Sequence, residues 1–255
     1  MLDFYKISLI EGSKSKIRYG QSYFDFEEGG MVFMSPRQVI STTNATEKLS
    51  GLSIYVHPDL IRHHSLAKKM KDYGFFAYSV SEALHLSEKE KGVITGLFLQ
   101  IAAELKSSID MFSQHLLASY VELLLDYSNR FYTRQFITRK PANHDLLTKL
   151  ENVLAEYFES GKASEHGLPT VQYVSEQLNF SPGYLSDMLR SYTGQNTQQH
   201  IHNKLITVAK ELLSISGQTV AQVGYQLGFE HPQSFNKLFK RKTNTSPMAY
   251  RQSFN

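Results

Sequence analysis

Two stretches near the end of the chain place basic, amide and hydroxyl side chains on one face of a predicted helix. Arg and Lys can donate to guanine, and Asn and Gln can pair with adenine, so such faces carry the donors needed to read base edges in DNA. The candidates in the first stretch are Tyr184, Ser186, Asp187 and Arg190. Those in the second are Gln233, Ser234, Asn236, Lys237, Lys240 and Arg241. A solvated surface helix carries similar residues, so one such face alone leaves both interpretations open.

The candidate residues divide into those that would read bases and those that would bind phosphate. The residues suited to base edges are Arg190, Gln233, Asn236 and Lys237. Lys240 and Arg241 lie towards the end of their helix, where phosphate contact is expected. Tyr184 and Ser186 fit either role. Phosphates would repel Asp187 unless it accepts from a cytosine amino group or holds Arg190 or another donor in place.

Both faces belong to an internal repeat. The apolar residues Val171, Val174, Leu178 and Phe180 match Val220, Val223, Leu227 and Phe229 at an offset of 49. After a turn, Leu185, Met188 and Leu189 match Phe235, Leu238 and Phe239 at an offset of 50. A repeat of this length indicates one supersecondary unit that is used twice.

Each copy of the repeat predicts a helix, a turn and a second helix. The small residues Ser175 and Gly224 stand where the second helix would have to cross the first closely. Asn179 and Gly228 tolerate the left-handed conformation that commonly ends a helix. The spacing therefore predicts two helix-turn-helix units.

Helix starts are marked by Ser and Pro. Ser181-Pro182 supplies an N-cap and a first turn for the second helix of copy one, and Pro232 has the same place in copy two. Ser246 and Pro247 predict one more short helix, from which Tyr250 would pack on the second unit.

The run GFEHPQSFNKLFKRKTNTSPMAYR resembles the C-terminal signature of AraC/XylS-type transcription regulators. The first copy and the connecting stretch HIHNKLITVAKELL look like the rest of that DNA-binding domain, so the resemblance covers about the last 90 residues. Two positions depart from the family pattern, because Asn244 replaces the usual Gly and Gly224 replaces a common Ala. The resemblance implies that a long helix fixes two recognition helices for successive major grooves, about 34 Å apart.

Charge supports a nucleic-acid partner. From Val171 onward there are eight Lys or Arg against four acids, a balance of +4 in a chain whose total is +3. The basic excess is therefore concentrated in the repeat, as a phosphate-binding surface requires.

Composition excludes several other classes. The 255 residues contain no cysteine, which excludes disulfides, thiolate zinc sites and cysteine nucleophiles, and also the alkyl-accepting repair proteins that share this DNA-binding domain. No run of about 18 apolar residues and no signal-type N-terminus occurs, so we expect a cytoplasmic protein without a membrane partner.

Residues 1 to about 57 predict a β domain. The strands are FYKISLI, SKIRYG, SYFDF, MVFMS and GLSIYV. In AraC-type regulators a small cupin-type barrel holds this position, and the segment resembles the later part of one. It is short, so either the true start lies upstream of Met1 or these strands form a reduced sheet that pairs with something else. His57, His63 and His64 lack the His-x-His spacing of a cupin metal site, so no metal or cofactor is predicted.

A helical pair follows the strands. Ser87 and Glu90 form a capping box, and Leu97, Ile101, Leu105 and Ile109 form the apolar stripe of the first helix. The second helix spans about 111–134, and its stripe is Leu116, Leu117, Tyr120, Leu123, Leu124 and Tyr127. These stripes cover the sheet or, as the resemblance suggests, form a homodimer interface within 87–134.

The predicted fold class is α+β, with a partial cupin-like β domain and helical pair, then an all-α domain of two helix-turn-helix units joined by a long helix. The domains are 1–135, a linker at 136–145 that interrupts the helical pattern, and 146–255.

The function that fits best is a sequence-specific transcription regulator without catalytic residues. Its expected partners are double-stranded DNA, a second copy of the chain, RNA polymerase and a small-molecule effector that no motif identifies. One alternative is a cupin-like ligand carrier or metal enzyme whose helical C-terminus does not bind DNA. Another is a protein that binds DNA without sequence preference.

Overall fold

The computed structural model describes residues 3–11, 13–19, 22–26, 30–38, 50–138, 140–215 and 217–254. The chain divides into two compact units, Met1–Arg139 and Lys140–Asn255. The first unit combines strands and helices, and the described part of the second is helical. The predicted α+β class is therefore confirmed.

The described strands of the first unit are β1 (Tyr5–Glu11), β2 (Ser13–Tyr19), β3 (Ser22–Phe26), β4 (Gly30–Met34), β5 (Ser50–Val56) and β6 (Leu84–His85). Four of them form an antiparallel sheet in the order β5-β1-β4-β6, while β2 and β3 form a separate antiparallel pair. The sequence predicts the first five strands. It misses β6, because two residues are too few to show alternation.

The central strand β1 is covered on its apolar face. Ile7 and Leu9 are buried, and the hydroxyl of the intervening Ser8 lies 2.9 Å from that of Ser53 on β5. On β4, the ring of Phe33 packs 4.3 Å from that of Phe75, which in turn stacks on Tyr132. This aromatic cluster joins the sheet to the helices that follow it.

The helices of the first unit are α1 (Pro58–Ile61), α2 (Leu66–Lys69), α3 (Glu88–Lys106) and α4 (Ser113–Thr138). Short 3-10 turns occupy 70–72, 74–77 and 80–82. The capping box at the start of α3 is confirmed, since Ser87 accepts from the Glu90 amide and Glu90 accepts from the Ser87 amide. Arg134 of α4 also donates to both carboxylate oxygens of Glu90, at 3.0 and 2.7 Å. The two helices are thereby tied together at the start of α3.

The apolar stripes of this helical pair differ from the prediction. Leu97 and Ile101 are buried, but Leu105 is 64% exposed in the last turn of α3 and Ile109 is 89% exposed beyond its end at Lys106. On α4, the predicted Leu116 and Leu123 are exposed, and only Leu124 of that stripe is fully buried. The buried residues of α4 are Ser113, Ala118, Val121, Leu124, Leu125, Ser128, Phe131, Tyr132, Gln135 and Phe136. The core-facing side is thus rotated from the predicted one by about one residue.

The helices of the second unit are α5 (Lys140–Glu159), α6 (Lys162–His166), α7 (Val171–Gln177), α8 (Pro182–Thr193), α9 (Thr197–Ile215), α10 (Val220–Gln226), α11 (Pro232–Thr243) and α12 (Pro247–Gln252). In the parts of the chain that the structure covers, no helix has both the length and the apolar character needed to cross a membrane.

The predicted linker differs in its secondary structure. Residues 136–138 end α4 and 140–145 begin α5, so the described part of 136–145 is helical, while Arg139 lies outside the described residues. The two compact units divide inside this segment. The domain limits of 1–135 and 146–255 stay a prediction.

Candidate nucleic-acid interface

The first helix-turn-helix unit is built by local capping. Thr170 caps α7 by accepting from the Tyr173 amide at 3.0 Å. After α7 ends, Asn179 adopts a left-handed φ of 59°, and the Phe180 amide donates to the Ser175 carbonyl at 2.9 Å. Ser181 then caps α8, with Pro182 in its first turn. The predicted roles of Asn179, Ser181 and Pro182 are confirmed.

The second helix-turn-helix unit repeats this turn with one extra residue. Thr219 and Gln222 form a capping box at the start of α10, Gly228 has a φ of 91°, and the Phe229 amide donates to the Gly224 carbonyl at 3.0 Å. Pro232 opens α11, but His231 at the N-cap makes no side-chain capping bond. The extra residue therefore lies in the turn, and both second helices keep their matching buried positions.

Small residues allow each pair of helices to cross closely, as predicted. Ser175 of α7 is fully buried. At Gly224 of α10, an added Cβ would lie 3.4 Å from the Cβ of Phe235 on α11. The second helix of each unit is therefore fixed against the first by direct packing.

The repeat continues past the second helices. Gly194 and Asn244 both take left-handed conformations, and their amides donate to the carbonyls of Arg190 and Lys240. The left-handed conformation of Asn244, with a φ of 59°, shows that this departure from the family pattern leaves the turn intact. Ser246 caps α12 by accepting from the Ala249 amide, and Tyr250 packs edge-on against Phe239.

Helix α9 connects the two units. It contacts α8 of the first helix-turn-helix unit, α10 of the second, and also α5 and α12. Its residues Leu205, Ala209 and Leu213 share a buried cluster with Val223 of α10 and Phe235 of α11. The second helix-turn-helix unit therefore shares one hydrophobic core with the connecting helix α9.

The exposed side of α8 is small and carries both charges. Arg190 and Asp187 form an ion pair, with Nη1 of Arg190 2.7 Å from Oδ1 of Asp187. Ser186 is partly buried, and its hydroxyl lies 3.0 Å from that of the buried Thr197 at the start of α9. Arg190 is the most exposed of the candidates on this helix.

The prediction that Tyr184 faces outward is wrong. Its side chain is buried, and its ring stacks on Phe180 with the ring centres 5.6 Å apart. The next residue, Leu185, is also buried, so the core covers two adjacent positions at the start of α8. Tyr184 therefore fixes α8 against the turn.

The exposed side of α11 is larger and strongly basic. All six candidates on it are exposed, whereas Phe235, Leu238 and Phe239 face the core. The basic residues of α11 are Lys237, Lys240, Arg241 and Lys242, and the helix has no acid. The positive charges of Lys242 and Arg241 also act on His202 of α9, where burial is the main cause that lowers the pKa of the imidazole.

Sequence reasoning missed several residues that position these surfaces. The capping box of Thr219 with Gln222 carries a recognisable signal, a hydroxyl residue followed three positions later by Gln. Thr197 carries no such signal, because the matching residue in the second helix-turn-helix unit is Pro247. Only the fold brings the Thr197 hydroxyl to Ser186. The proximity of His202 to the basic end of α11 likewise depends on packing.

A family model described as a helix-turn-helix domain matches residues 174–253. The C-terminal unit is a double helix-turn-helix domain of the AraC/XylS type. Among curated relatives of this AraC/XylS-type domain, the regulatory protein PocR of Salmonella typhimurium is 29% identical over 118 residues, which are 46% of this chain and 37% of PocR. The HTH-type transcriptional activator RhaS of Salmonella arizonae is 33% identical over 79 residues, which are 31% of this chain and 28% of RhaS.

A solved structure is also similar in sequence to the AraC/XylS-type domain. It is the C-terminal domain of the two-component response regulator YesN from Fusobacterium nucleatum, with 28% identity, a TM-score of 0.36, and coverage of 43% of this chain and 98% of that one. The chain spans only about a third of the length of the curated relatives that it matches.

Proposed function

We propose that this chain is a sequence-specific, DNA-binding transcription regulator that inserts α8 and α11 into successive major grooves. The observation that carries the proposal is the pair of helix-turn-helix units, each presenting an exposed polar second helix and both held by α9. A recognition helix in this motif reads base edges from the major groove. The names of the relatives, a regulatory protein and a transcriptional activator, support a role in transcription.

The exposed candidates have distinct roles in this proposal. Gln233 and Asn236 pair with adenine, and Lys237 and Arg190 donate to guanine. Lys240 and Arg241 bind phosphates at the end of α11, which fixes the register of the domain on the duplex without reading sequence. Ser186, tied to Thr197, and the buried Tyr184 support α8 from behind. Ser234, exposed in the first turn of α11, contributes a hydroxyl to base or phosphate.

The N-terminal compact unit, Met1–Arg139, serves dimerisation in this proposal. Exposed apolar side chains gather where α3 ends and α4 begins, and they are Leu105, Ile109, Met111, Phe112 and Leu116. We call these five residues the hairpin patch. Grouped exposed apolar residues commonly mark a protein interface. A second copy of the chain would cover the hairpin patch and double the DNA contacts. We place the regulator in the cytoplasm, and its effector and contact with RNA polymerase remain predictions from the sequence.

Selection of binding sites from a random DNA library, followed by footprinting, tests the function. We expect one enriched motif whose protection covers two adjacent major grooves. Gln233→Ala and Asn236→Ala should each relax discrimination at a few base pairs, by about 1 to 3 kcal/mol per position. Lys106→Ala, which removes an exposed cation at the end of α3, is the matched control and should leave the motif unchanged.

Two results would favour the alternatives. Equal weakening of all sequences by both substitutions would indicate a DNA-binding protein without sequence preference. If no salt-dependent DNA binding occurs and elemental analysis finds bound metal, the cupin-like carrier or enzyme becomes the better interpretation.

A further inference from the structure

The two recognition helices differ sharply in charge, although they are copies of one unit. Asp187 and Arg190 of α8 stand at the positions of Lys237 and Lys240 in α11, at the repeat offset of 50. The charges of Asp187 and Arg190 cancel, whereas α11 carries four cations and no acid. The second helix therefore has the charge to bind phosphate, and the first does not.

The acid on α8 is in direct contact with its only basic residue. Asp187 Oδ1 lies 2.7 Å from Nη1 of Arg190, one helical turn further along. The Asp187 side chain is 29% exposed and that of Arg190 is 56% exposed, so the carboxylate is the more buried partner. A guanidinium has five N–H donors in a fixed fork, and this contact occupies one of its two terminal nitrogens. The contact leaves Nε and Nη2 of Arg190 for a second partner and restricts the direction in which they point.

An arginine held in this way is poorly suited to phosphate. Free cations contribute to DNA affinity by releasing counterions, and a paired cation contributes little of this. The Asp187 carboxylate would also repel a nearby phosphate. A base edge presents the acceptors O6 and N7 of guanine, which match two N–H groups of a guanidinium of fixed orientation.

We propose that Asp187 is a positioning residue that holds Arg190 for base reading and prevents it from binding phosphate. The first recognition helix then contributes base discrimination with little phosphate binding, and the second contributes most of the electrostatic affinity besides its own base contacts. This inference rests on the proposed function, because it assigns a division of labour within the same DNA-reading surface.

A double-mutant cycle on the full chain tests the inference. Binding is measured for wild type, Asp187→Asn, Arg190→Ala and the double variant on the selected site, on its single-base-pair variants and on unrelated duplex DNA, over a range of salt. Asp187→Asn should reduce discrimination at one guanine position about tenfold, within the range of a lost bidentate contact. It should also strengthen binding to unrelated DNA and steepen the salt dependence by up to about 0.9 in the log–log slope, the value for one added phosphate contact.

The background of Arg190→Ala separates positioning from direct contact. In that background Asp187→Asn should change neither the discrimination nor the slope beyond the control, since the residue it positions is gone. Glu211→Gln removes one exposed negative charge from α9 and reports the general effect of net charge. Circular dichroism melting confirms that each variant is folded.

Two outcomes would overturn the inference. If the loss of discrimination persists in the Arg190→Ala background, Asp187 itself contacts a base. If Asp187→Asn behaves like Glu211→Gln, the ion pair has no part in reading. Failure of the wild type to select any sequence would instead refute the proposed function.

Discussion

Replacing the two glycines of the second helix-turn-helix unit by alanine should change its stability in opposite directions. Gly228 has a φ of 91°, and a Cβ there would lie 2.6 Å from the Ala163 carbonyl oxygen and 2.6 Å from the Gly167 carbonyl carbon. Gly224 lies inside α10, where an added Cβ would make an ordinary 3.4 Å contact with Phe235. The first site forbids a methyl group and the second accommodates one.

The magnitudes follow from these geometries. A left-handed alanine costs about 1 to 2 kcal/mol. Forcing a methyl group into a packed site costs about 1 to 3 kcal/mol more. Gly228→Ala should therefore lower the free energy of unfolding by about 2 to 5 kcal/mol, the sum of the two terms. Gly224→Ala should raise the free energy of unfolding by about 1 kcal/mol, the difference in helix propensity between glycine and alanine.

Native-state hydrogen exchange measures these changes in the full chain, in peptides spanning 219–243 for the two variants and in peptides spanning 88–106 for the control. Gly96→Ala is the matched control, because Gly96 lies inside α3 with no atom within 4 Å of an added Cβ, so it reports helix propensity alone. If Gly228→Ala costs less than 1 kcal/mol, or Gly224→Ala destabilises by more than that, the described packing of the turn and crossing is wrong.

Two further predictions concern the hairpin patch and the partly buried His200. Phe112→Glu, in the hairpin patch, should convert the proposed dimer to a monomer in sedimentation analysis. Leu99→Glu, at an exposed site elsewhere on α3, should leave the dimer intact. Dimers in both variants would refute the assignment. Burial lowers the pKa of His200, whose Nε2 lies 2.9 Å from the Thr193 hydroxyl, while the charge of Glu151 acts in the opposite direction. The pKa of His200 is therefore lower in the folded chain than in the unfolded chain. The contribution of His200 to the free energy of unfolding is present above about pH 6.5 and is lost as pH falls through the folded pKa. Urea unfolding of His200→Gln should lack that part of the pH dependence, and an unchanged profile would contradict it.

The turns of the helix-turn-helix units could be predicted from sequence, because their causes are local. Left-handed residues at Asn179, Gly228 and Asn244 follow from which side chains tolerate that conformation. The caps at Ser181 and Ser246 need only a hydroxyl beside the first turn of a helix. The internal repeat then placed each turn twice, which turned two weak local signals into one strong one.

The side of a helix that faces the core was harder to predict. Tyr184 has a polar tip and matches the exposed Ser234, yet Phe180 offers it a ring to stack on. On α4, the stripe through Leu116 and Leu123 has the same seven-residue spacing as the buried one through Val121 and Ser128. Periodicity identifies a helix, but which stripe is buried depends on neighbours distant in sequence.

The ion pair of α8 shows the same limit within the candidate site. The spacing of Asp187 and Arg190 permits a contact one turn apart on a helix. It also permits two separate contacts with DNA, and the sequence alone leaves both open. The 2.7 Å distance in the free chain favours the first.

The shared contacts of α9 make the two recognition helices a single bivalent ligand. In the proposed complex, once α11 is bound, α8 faces its own groove at an effective concentration in the millimolar range or above, typical of short connections. A helix whose charges cancel can in this way still decide which site is occupied. In this arrangement the tether between the two helices, rather than any contact of α8 with phosphate, lets weak base readout appear as specificity of the whole domain.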